Sequence, residues 1–334
     1  MGKRTITKEI FDKVILQIPK KIIDMLPEEP INLLPYAKRM DKISFSSNIT
    51  DDLKKLMTKY LLTDEEYLKT FFYVMAITFY NKKKVKNPQI AIVAAQTGSG
   101  KSNLTAKLLR NDDNYIFVDS DKYKHFRYDA QDIAEKYPVE YPALTGPDAY
   151  DHADNIYQYA VYNNYNIIKE TAPSENKGLL GIDVSDVIKH NYKISVHILA
   201  VGELNSLLST HERYELQIIY GLKTCKLTGI ARHDESYGAL IKNVEDIMKD
   251  KNISSISIYK RGVKEEGFVP ICVYPSSQYN SPIDAINQVR KADNEKTKDE
   301  IMDRYNLIIK QMNGRNAPKA QFDQIEKIKR RANV

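Results

Sequence analysis

The run Gln96-Thr97-Gly98-Ser99-Gly100-Lys101-Ser102 sets two glycines, a lysine and a hydroxyl in the order that phosphate chemistry requires. Glycines let successive backbone N–H groups curl round an anion, the lysine reaches the terminal phosphates, and the hydroxyl binds Mg²⁺. The apolar run Ile90 to Ala95 before it suits a buried parallel strand, and the segment opening at Lys101 suits a helix whose N-terminus faces the anion. The full pattern starts on glycine where this chain has Ala95, a position that precedes the tight turn. Strand, loop and helix occur in the required order, which separates this run from a glycine-rich turn with an incidental lysine. The expected ligand is a nucleoside triphosphate, ATP or GTP, with Mg²⁺. Gln96 through Ser102 form its binding set, and Ser102 is the metal ligand.

Phosphoryl transfer needs three further things: a group to deprotonate the acceptor, a metal, and positive charge around the migrating phosphoryl. Asp121 lies twenty residues after Lys101, just beyond the apolar run Tyr115 to Val118, where open α/β sheets place their ligands. It is the expected base, with Asp119 its rival; either aspartate alone also suits a helix N-cap or turn. Glu170 follows the strand-like run Tyr165 to Lys169 and points to the same crevice, in a metal-orienting or substrate role or as a surface acid. Arg213 and Arg232 bracket a glycine-containing connection, Tyr220 to Ile230, that suits a lid closing on phosphates; outside that context each reads as surface charge. The histidines fall on separate predicted elements, and no nucleophile–base pair or zinc spacing stands out.

The elements that must carry these residues alternate. Strands are expected at 90–95, 115–118, 165–169, 194–201 and 253–259, the last closing the sheet. Helices are expected at 148–162, 184–189, 204–220 and 236–249, and the tyrosine-rich stretch 122–145 reads as irregular. That alternation predicts an α/β fold with a mainly parallel, doubly wound sheet. Ahead of it, Ile10, Phe11, Val14, Ile15 and Ile18 recur at helical spacing, and Thr63-Asp64-Glu65-Glu66 is a capping box opening an apolar helix over 67–80. From Ser281 the chain turns to charged helices. The expected domains are a helical module at 1–60, a P-loop kinase at 61–275 and a charged helical extension at 276–334.

A length of 334 residues with 42% hydrophobic content allows a sizeable core. The longest apolar stretch, Phe71 to Tyr80, is too short to span a bilayer, and the N-terminus has neither an apolar signal region nor a myristoylation pattern. Cys225 and Cys272 lack metal-ligand spacing; they fit a reducing cytosol, though a disulfide stays open. A net charge of +6 fits a solvated lysine-rich surface better than a nucleic-acid partner. The expected setting is cytoplasmic, without membrane or nucleic acid.

The chain resembles the zeta-toxin family of P-loop kinases, the toxin half of epsilon–zeta and related toxin–antitoxin systems, from about Thr63 to Arg261. The resemblance is carried by Ala95 to Ser102, Val118-Asp119-Ser120-Asp121, Tyr165 to Thr171, Glu212-Arg213-Tyr214-Glu215, Ala231-Arg232 and Ile258-Tyr259-Lys260-Arg261. It implies transfer of a γ-phosphate to the 3′-hydroxyl of a UDP-activated N-acetyl amino sugar, which starves peptidoglycan synthesis. Asp121 would be the acceptor base; Lys101, Arg213 and Arg232 would stabilise the phosphoryl, and Arg261 would join the nucleotide site. Glu170, Asp154 and Thr171 would contact sugar or metal. The family often reads Glu-Gly-Thr where this chain has Glu170-Thr171-Ala172, and the stretch Gly178 to Gly181 and the lid also differ. An antitoxin would act in trans, or in cis as residues 1–60. The alternatives are a P-loop kinase for another hydroxyl, such as a nucleic-acid end, an antibiotic or another small molecule, and a nucleotide-binding regulatory protein.

Overall fold

The computed structural model describes residues 3–40, 49–137, 140–174, 180, 182–222, 225, 227–262, 268–275 and 281–332. Along the chain run β1 (Lys3–Thr5), α1 (Lys8–Ile15), α2 (Lys20–Ile23), α3 (Pro30–Leu33), β2 (Lys38–Met40), α4 (Asp51–Lys59) and α5 (Asp64–Phe79). Next come β3 (Gln89–Ala94), α6 (Lys101–Asn111), β4 (Tyr115–Val118), α7 (Ser120–Tyr123), α8 (Ala130–Lys136), α9 (Tyr141–Tyr162) and β5 (Asn166–Thr171). The remainder is α10 (Ser185–Lys189), β6 (Lys193–Ala200), α11 (Glu203–Ile219), α12 (Ile230–Lys249), β7 (Ile253–Lys260), β8 (Pro270–Tyr274), α13 (Pro282–Gly314) and α14 (Lys319–Arg331). Two compact units divide these elements, Met1–Pro88 with Asp113–Ile167 and Gln89–Asp112 with Ile168–Val334.

In the first unit the capping box forms as its residues predict. Thr63 Oγ1 accepts from Glu66 N at 3.3 Å while Glu66 Oε2 accepts from Thr63 N at 2.8 Å, so two orphan donors of α5 are satisfied reciprocally. Tyr67, Leu68, Phe71, Phe72 and Met75 of α5 are fully buried, and Phe11 of α1 meets Phe72 edge-on at 6.1 Å. The first residues also form an antiparallel pair, β1 with β2, that helical spacing did not foretell. The described residues of 122–145 are largely helical rather than irregular: the end of α7 and all of α8 fall there and α9 starts at Tyr141, with Pro142 in its first turn and Pro147 inside it. The reason is burial, since Met57, Ile133, Ala134, Tyr141 and Leu144 share one apolar cluster. β4 lies beside the start of β5.

In the second unit the strands run in the order β5-β3-β6-β7-β8. β3 pairs parallel with β6 (Ile92 opposite Val196), β6 parallel with β7 (Ile198 opposite Ile258), and β7 antiparallel with β8 (Ile258 opposite Cys272). The near-continuous apolar run of β3, buried from Ile90 to Ala94, is what a parallel strand covered on both faces requires. This is the expected α/β class with a mainly parallel sheet. Two differences are clear: β7 does not close the sheet, because the short antiparallel β8 follows it, and β5 runs through Glu170 and Thr171 instead of ending before them. The charged C-terminal helices bury a stripe of Ile301, Tyr305, Ile308, Met312, Ile325 and Ile328 against Leu204, Leu207 and Leu208 of α11. No described helix is long and apolar enough to cross a membrane. Cys225 and Cys272 are free thiols.

Candidate functional site

The second unit builds its phosphate loop from the end of β3 to the start of α6. Gly98 (φ +76°) and Gly100 (φ +90°) both adopt the left-handed region, and Gly100 caps α6. A Cβ at Gly98 would stand 2.0 Å from the Ser206 carbonyl oxygen of α11, so the loop lies directly against that helix. Gln96 is fully buried and pins the loop to the same helix, donating to the Val201 carbonyl at 2.8 Å and to Ser206 Oγ at 3.3 Å. Ser206 Oγ in turn lies 2.8 Å from His233 Nε2, and Thr97 N donates to Ser236 Oγ at 3.3 Å. Ala95, which replaces the pattern's first glycine, is itself fully buried, and its N–H donates to the Thr171 carbonyl at 3.3 Å.

Lys101 donates to the carbonyls of Ala95 at 2.9 Å and Gln96 at 3.1 Å, arched back over the loop. Its ammonium is pushed down to about 8, first by burial and then by the charges of Arg213 and Arg232, against the opposing pull of Glu170. The charges of Glu170, Arg213 and Arg232 thus all bear on Lys101. The backbone turn and the helix N-terminus of α6 form an anion cradle, and the lysine is close enough to its deprotonation range to respond strongly to a phosphate.

Ser102 Oγ donates to Glu170 Oε2 at 3.3 Å. Glu170 Oε1 is buried and has no hydrogen-bond partner among the described residues, as do Thr97 Oγ1 and Ser99 Oγ beside the loop. A hydroxyl and a carboxylate with unspent oxygen lone pairs fit a hard cation such as Mg²⁺, which takes few protein oxygens and leaves the rest of its shell to water and phosphate. Among the described residues no three His, Cys, Asp or Glu side chains gather as a dedicated metal cage.

Arg213 sits within α11 and Arg232 in the first turn of α12, which starts at Ile230, six residues earlier than its apolar pattern implied. Arg232 is anchored to the Ala172 carbonyl at 2.8 Å, the Pro173 carbonyl at 3.3 Å and Glu235 at 2.9 Å. It ties α12 to the segment that follows Glu170 and Thr171. Of the expected lid, residues 223, 224 and 226 lie outside the described residues, as do 178, 179 and 181. Thr171 Oγ1 donates to the Leu180 carbonyl at 2.5 Å. Arg261, at the end of β7, donates to Ser209 Oγ at 2.7 Å and Asn205 Oδ1 at 3.2 Å, and its Nε lies 3.9 Å from where a Cβ on Gly100 would be.

Asp121 and Asp154 belong to the first unit. Asp119 is the N-cap of α7, accepting from Asp121 N at 3.0 Å and Lys122 N at 3.4 Å, and burial raises its carboxyl pKa. That is the capping use a turn aspartate allows. Asp121, its side chain 83% exposed, pairs with the buried Lys124 at 2.5 Å. Asp154 is largely exposed on α9 and pairs with Lys3 at 3.0 Å.

Residue-by-residue reading missed three groups around the loop. Ser206 and His233 are buried polar residues on amphipathic helices, and nothing in their spacing marks them. Arg304, on α13, grips Glu212 with both ends of its guanidinium at 2.6 and 2.7 Å. Its one signal was position: it follows Ile301 by three residues and precedes Tyr305, so it borders the apolar stripe of its helix.

The chain matches the model of the Zeta toxin family over residues 75–268. Among curated proteins it is 26% identical over 186 residues to Toxin zeta of Enterococcus hirae, and likewise 26% identical to Toxin zeta of Streptococcus pyogenes. Each match covers 55% of this chain and 64% of the relative, so the chain spans just under two thirds of the curated relatives' length. A chain from the PezAT chromosomal toxin–antitoxin system of Streptococcus pneumoniae superposes with a TM-score of 0.60 at 17% identity, covering 75% of this chain and 98% of that one. At that identity the likeness speaks for the fold.

Proposed function

Because the chain belongs to the Zeta toxin family, we propose that it is a toxin kinase that moves the γ-phosphate of ATP or GTP to the 3′-hydroxyl of a UDP-activated N-acetyl amino sugar. The observation that carries the reading is the set around the phosphate loop: Lys101 arched onto the Ala95 and Gln96 carbonyls, Ser102 bonded to Glu170, and the charges of Arg213 and Arg232 bearing on the lysine. A protein that only held nucleotide would not need two arginines focused on the terminal-phosphate lysine.

In this reading the backbone N–H groups of residues 97–102 and the start of α6 hold the phosphates, Lys101 and Arg261 neutralise them, and Arg213 and Arg232 meet the charge that spreads over the transferring group. Ser102 and Glu170 would hold Mg²⁺, which offsets the phosphate charge. Asp121 takes the acceptor hydroxyl's proton, and Lys124, paired with it at 2.5 Å, orients the carboxylate. Asp154 and Thr171 would line the acceptor side.

A second reading, a kinase for a different hydroxyl, is favoured by those last two residues: the Thr171 hydroxyl donates to the Leu180 carbonyl and Asp154 is paired with Lys3. Residues 1–60 are proposed as a cis-acting inhibitor, with an antitoxin in trans as the alternative. The PezAT likeness supports an antitoxin partner only by analogy.

The test is a transfer assay with ATP and GTP against UDP-N-acetylglucosamine, on the full chain and on Asp121→Ala. A phosphorylated sugar nucleotide that disappears in Asp121→Ala supports reaction and base together. Nucleotide bound with the sugar untouched discards the acceptor and leaves the second reading.

A further inference from the structure

The turn Glu212-Arg213-Tyr214-Glu215 of α11 is gripped from the C-terminal helices at three of its four residues. Arg304 of α13 holds Glu212 with Nε at 2.6 Å and a terminal nitrogen at 2.7 Å. Arg315, the C-cap of α13, holds Glu215 with the same fork at 2.7 and 2.6 Å, and the Glu215 side chain is only 1% exposed. The Arg315 guanidinium also lies over the Tyr214 ring at 5.4 Å, and Gln321 Nε2 donates to the Tyr214 hydroxyl at 3.2 Å. The fourth residue, Arg213, is the one whose charge reaches Lys101.

Helix geometry explains the division. Residues 212 and 215 are three apart and share a face, whereas 213 is turned away from the middle of that face by about 130° at about 100° per residue. Arg315 therefore holds α11 from the side away from Arg213, while Arg304 reaches from Glu212 round to Ser209, one turn before Arg213. Arg304 does one thing more. It donates to Asn205 Oδ1 at 3.0 Å and Ser209 Oγ at 3.1 Å, the two acceptors that Arg261 also uses. Burial first, and then the charge of Arg304, hold the Arg261 pKa below its ordinary value, with Glu212 and Asp293 opposing.

We propose that Arg304 and Arg315 are positioning residues, supplied by a segment beyond the matched family stretch, that fix the rotation of α11 and so aim Arg213 at the nucleotide phosphates. Arg304 also sets Arg261. Adhesion of the helices needs no such forks, because Leu204, Leu207 and Leu208 already pack on Ile301, Ile308 and Met312. An intact buried ion pair adds little net stability over an apolar contact, although removing one partner alone is costly, and a two-pronged guanidinium–carboxylate contact fixes orientation strongly. The inference rests on the kinase reading, with Arg213 acting on the transferring phosphoryl.

The experiment is a set of double-mutant cycles on the full chain, pairing Arg213→Ala with Arg315→Gln and with Arg304→Gln. Two readouts are taken: binding of a fluorescent ATP analogue with Mg²⁺, and single-turnover transfer of the γ-phosphate to UDP-N-acetylglucosamine or water. Arg315→Gln is expected to slow transfer about tenfold or more with affinity within about twofold, and Arg304→Gln to lower both. Combining either with Arg213→Ala is expected to cost no further rate, because the positioned group is already gone. Full additivity of the two losses overturns the proposal. Arg304→Lys and Arg315→Lys, which keep charge but lose the fork, guard against misfolding and are expected to lose the same coupling at a near-parental melting temperature. If the parent chain transfers phosphate to neither acceptor, the sugar-nucleotide reading fails while the kinase for a different hydroxyl stands. The clamp is then read from binding alone: Arg213→Ala should weaken nucleotide binding in the parent and much less in the Arg304→Gln background, and equal weakening in both sinks it.

Discussion

Gly98 and Gly100 share a left-handed backbone yet impose different demands. At Gly98 a Cβ would meet the Ser206 carbonyl oxygen at 2.0 Å and Thr210 Cγ2 at 2.8 Å, and backbone cannot retreat as a side-chain end can. At Gly100 it would meet only the ends of Asn103 and Arg261, at 3.7 and 3.9 Å. Gly98→Ala is therefore expected to push the loop off α11, abolishing nucleotide binding and lowering stability by about 2–4 kcal/mol. Gly100→Asn, a side chain that tolerates the left-handed region, should cost about 1 kcal/mol and keep measurable binding. Nucleotide titration and thermal unfolding of the two variants check this, and equal effects would refute the steric argument. The loop's order of residues was legible because phosphate binding constrains neighbours in sequence. The brace behind it was not: Gln96, Ser206, His233 and Ser236 come from three separate elements, and only folding brings them within hydrogen-bond reach.

At the scale of elements, the first unit is tied together by buried charge around α9. Asp148 is 3% exposed and accepts from Arg39 at 3.0 Å, Arg127 at 3.2 Å and the Leu62 N–H at 3.1 Å. Burial raises its carboxyl pKa against the pull of both arginines. Asp148→Ala would strand the Leu62 N–H and leave Arg39 with Asp64, and Arg127 with Asp129 and the Tyr60 and Leu144 carbonyls. A loss of about 3–5 kcal/mol is expected in urea unfolding, with Asp148→Asn costing less because one acceptor survives. A loss below about 1 kcal/mol for the alanine variant would show the network to be dispensable. Deleting residues 1–60 removes Arg39 from the same network, so that deletion tests inhibition only if the shortened protein still folds. Helices with a clear stripe or a capping box, such as α1 and α5, could be read from spacing alone. The stretch 122–145 could not, because its tyrosines and two prolines mask a helical pattern whose stabilisation comes from Met57, Leu53 and Leu56, far off in sequence. Strand β8 escaped notice for a related reason: five residues pairing with β7 across a loop leave no periodicity of their own.

For the molecule as a whole, burial of neutral imidazoles sets the response to acid. His152 is 1% exposed, stacks on Tyr67 at a centroid distance of 4.2 Å, and has no partner for either ring nitrogen among the described residues. Burial pushes its pKa down to about 3, helped by the charges of Arg39, Arg127 and Lys3. In the second unit burial pushes His197 and His211 down to about 4. In the unfolded chain all three titrate near 6.5, so below that pH the unfolded state binds more protons and stability falls. Each group costs up to about 1.4 kcal/mol per pH unit between the unfolded value and its depressed folded value. Two units below 6.5 is a large fraction of the about 5–15 kcal/mol that holds a typical domain. Carboxylates with lowered values, such as Asp64 and Asp234, lose their stabilising charge only at lower pH, so histidine dominates from about 6.5 to 5. The urea midpoint is expected to drop steeply across that window. His152→Phe, which keeps a ring against Tyr67 and cannot take a proton, should flatten the first unit's slope by close to one proton while leaving the second unit's slope unchanged. Far-ultraviolet dichroism and tyrosine fluorescence at pH 6.5, 5.7 and 5.0 read both slopes. An unchanged slope in His152→Phe would mean that the ring is already protonated, or hydrated, in the folded state.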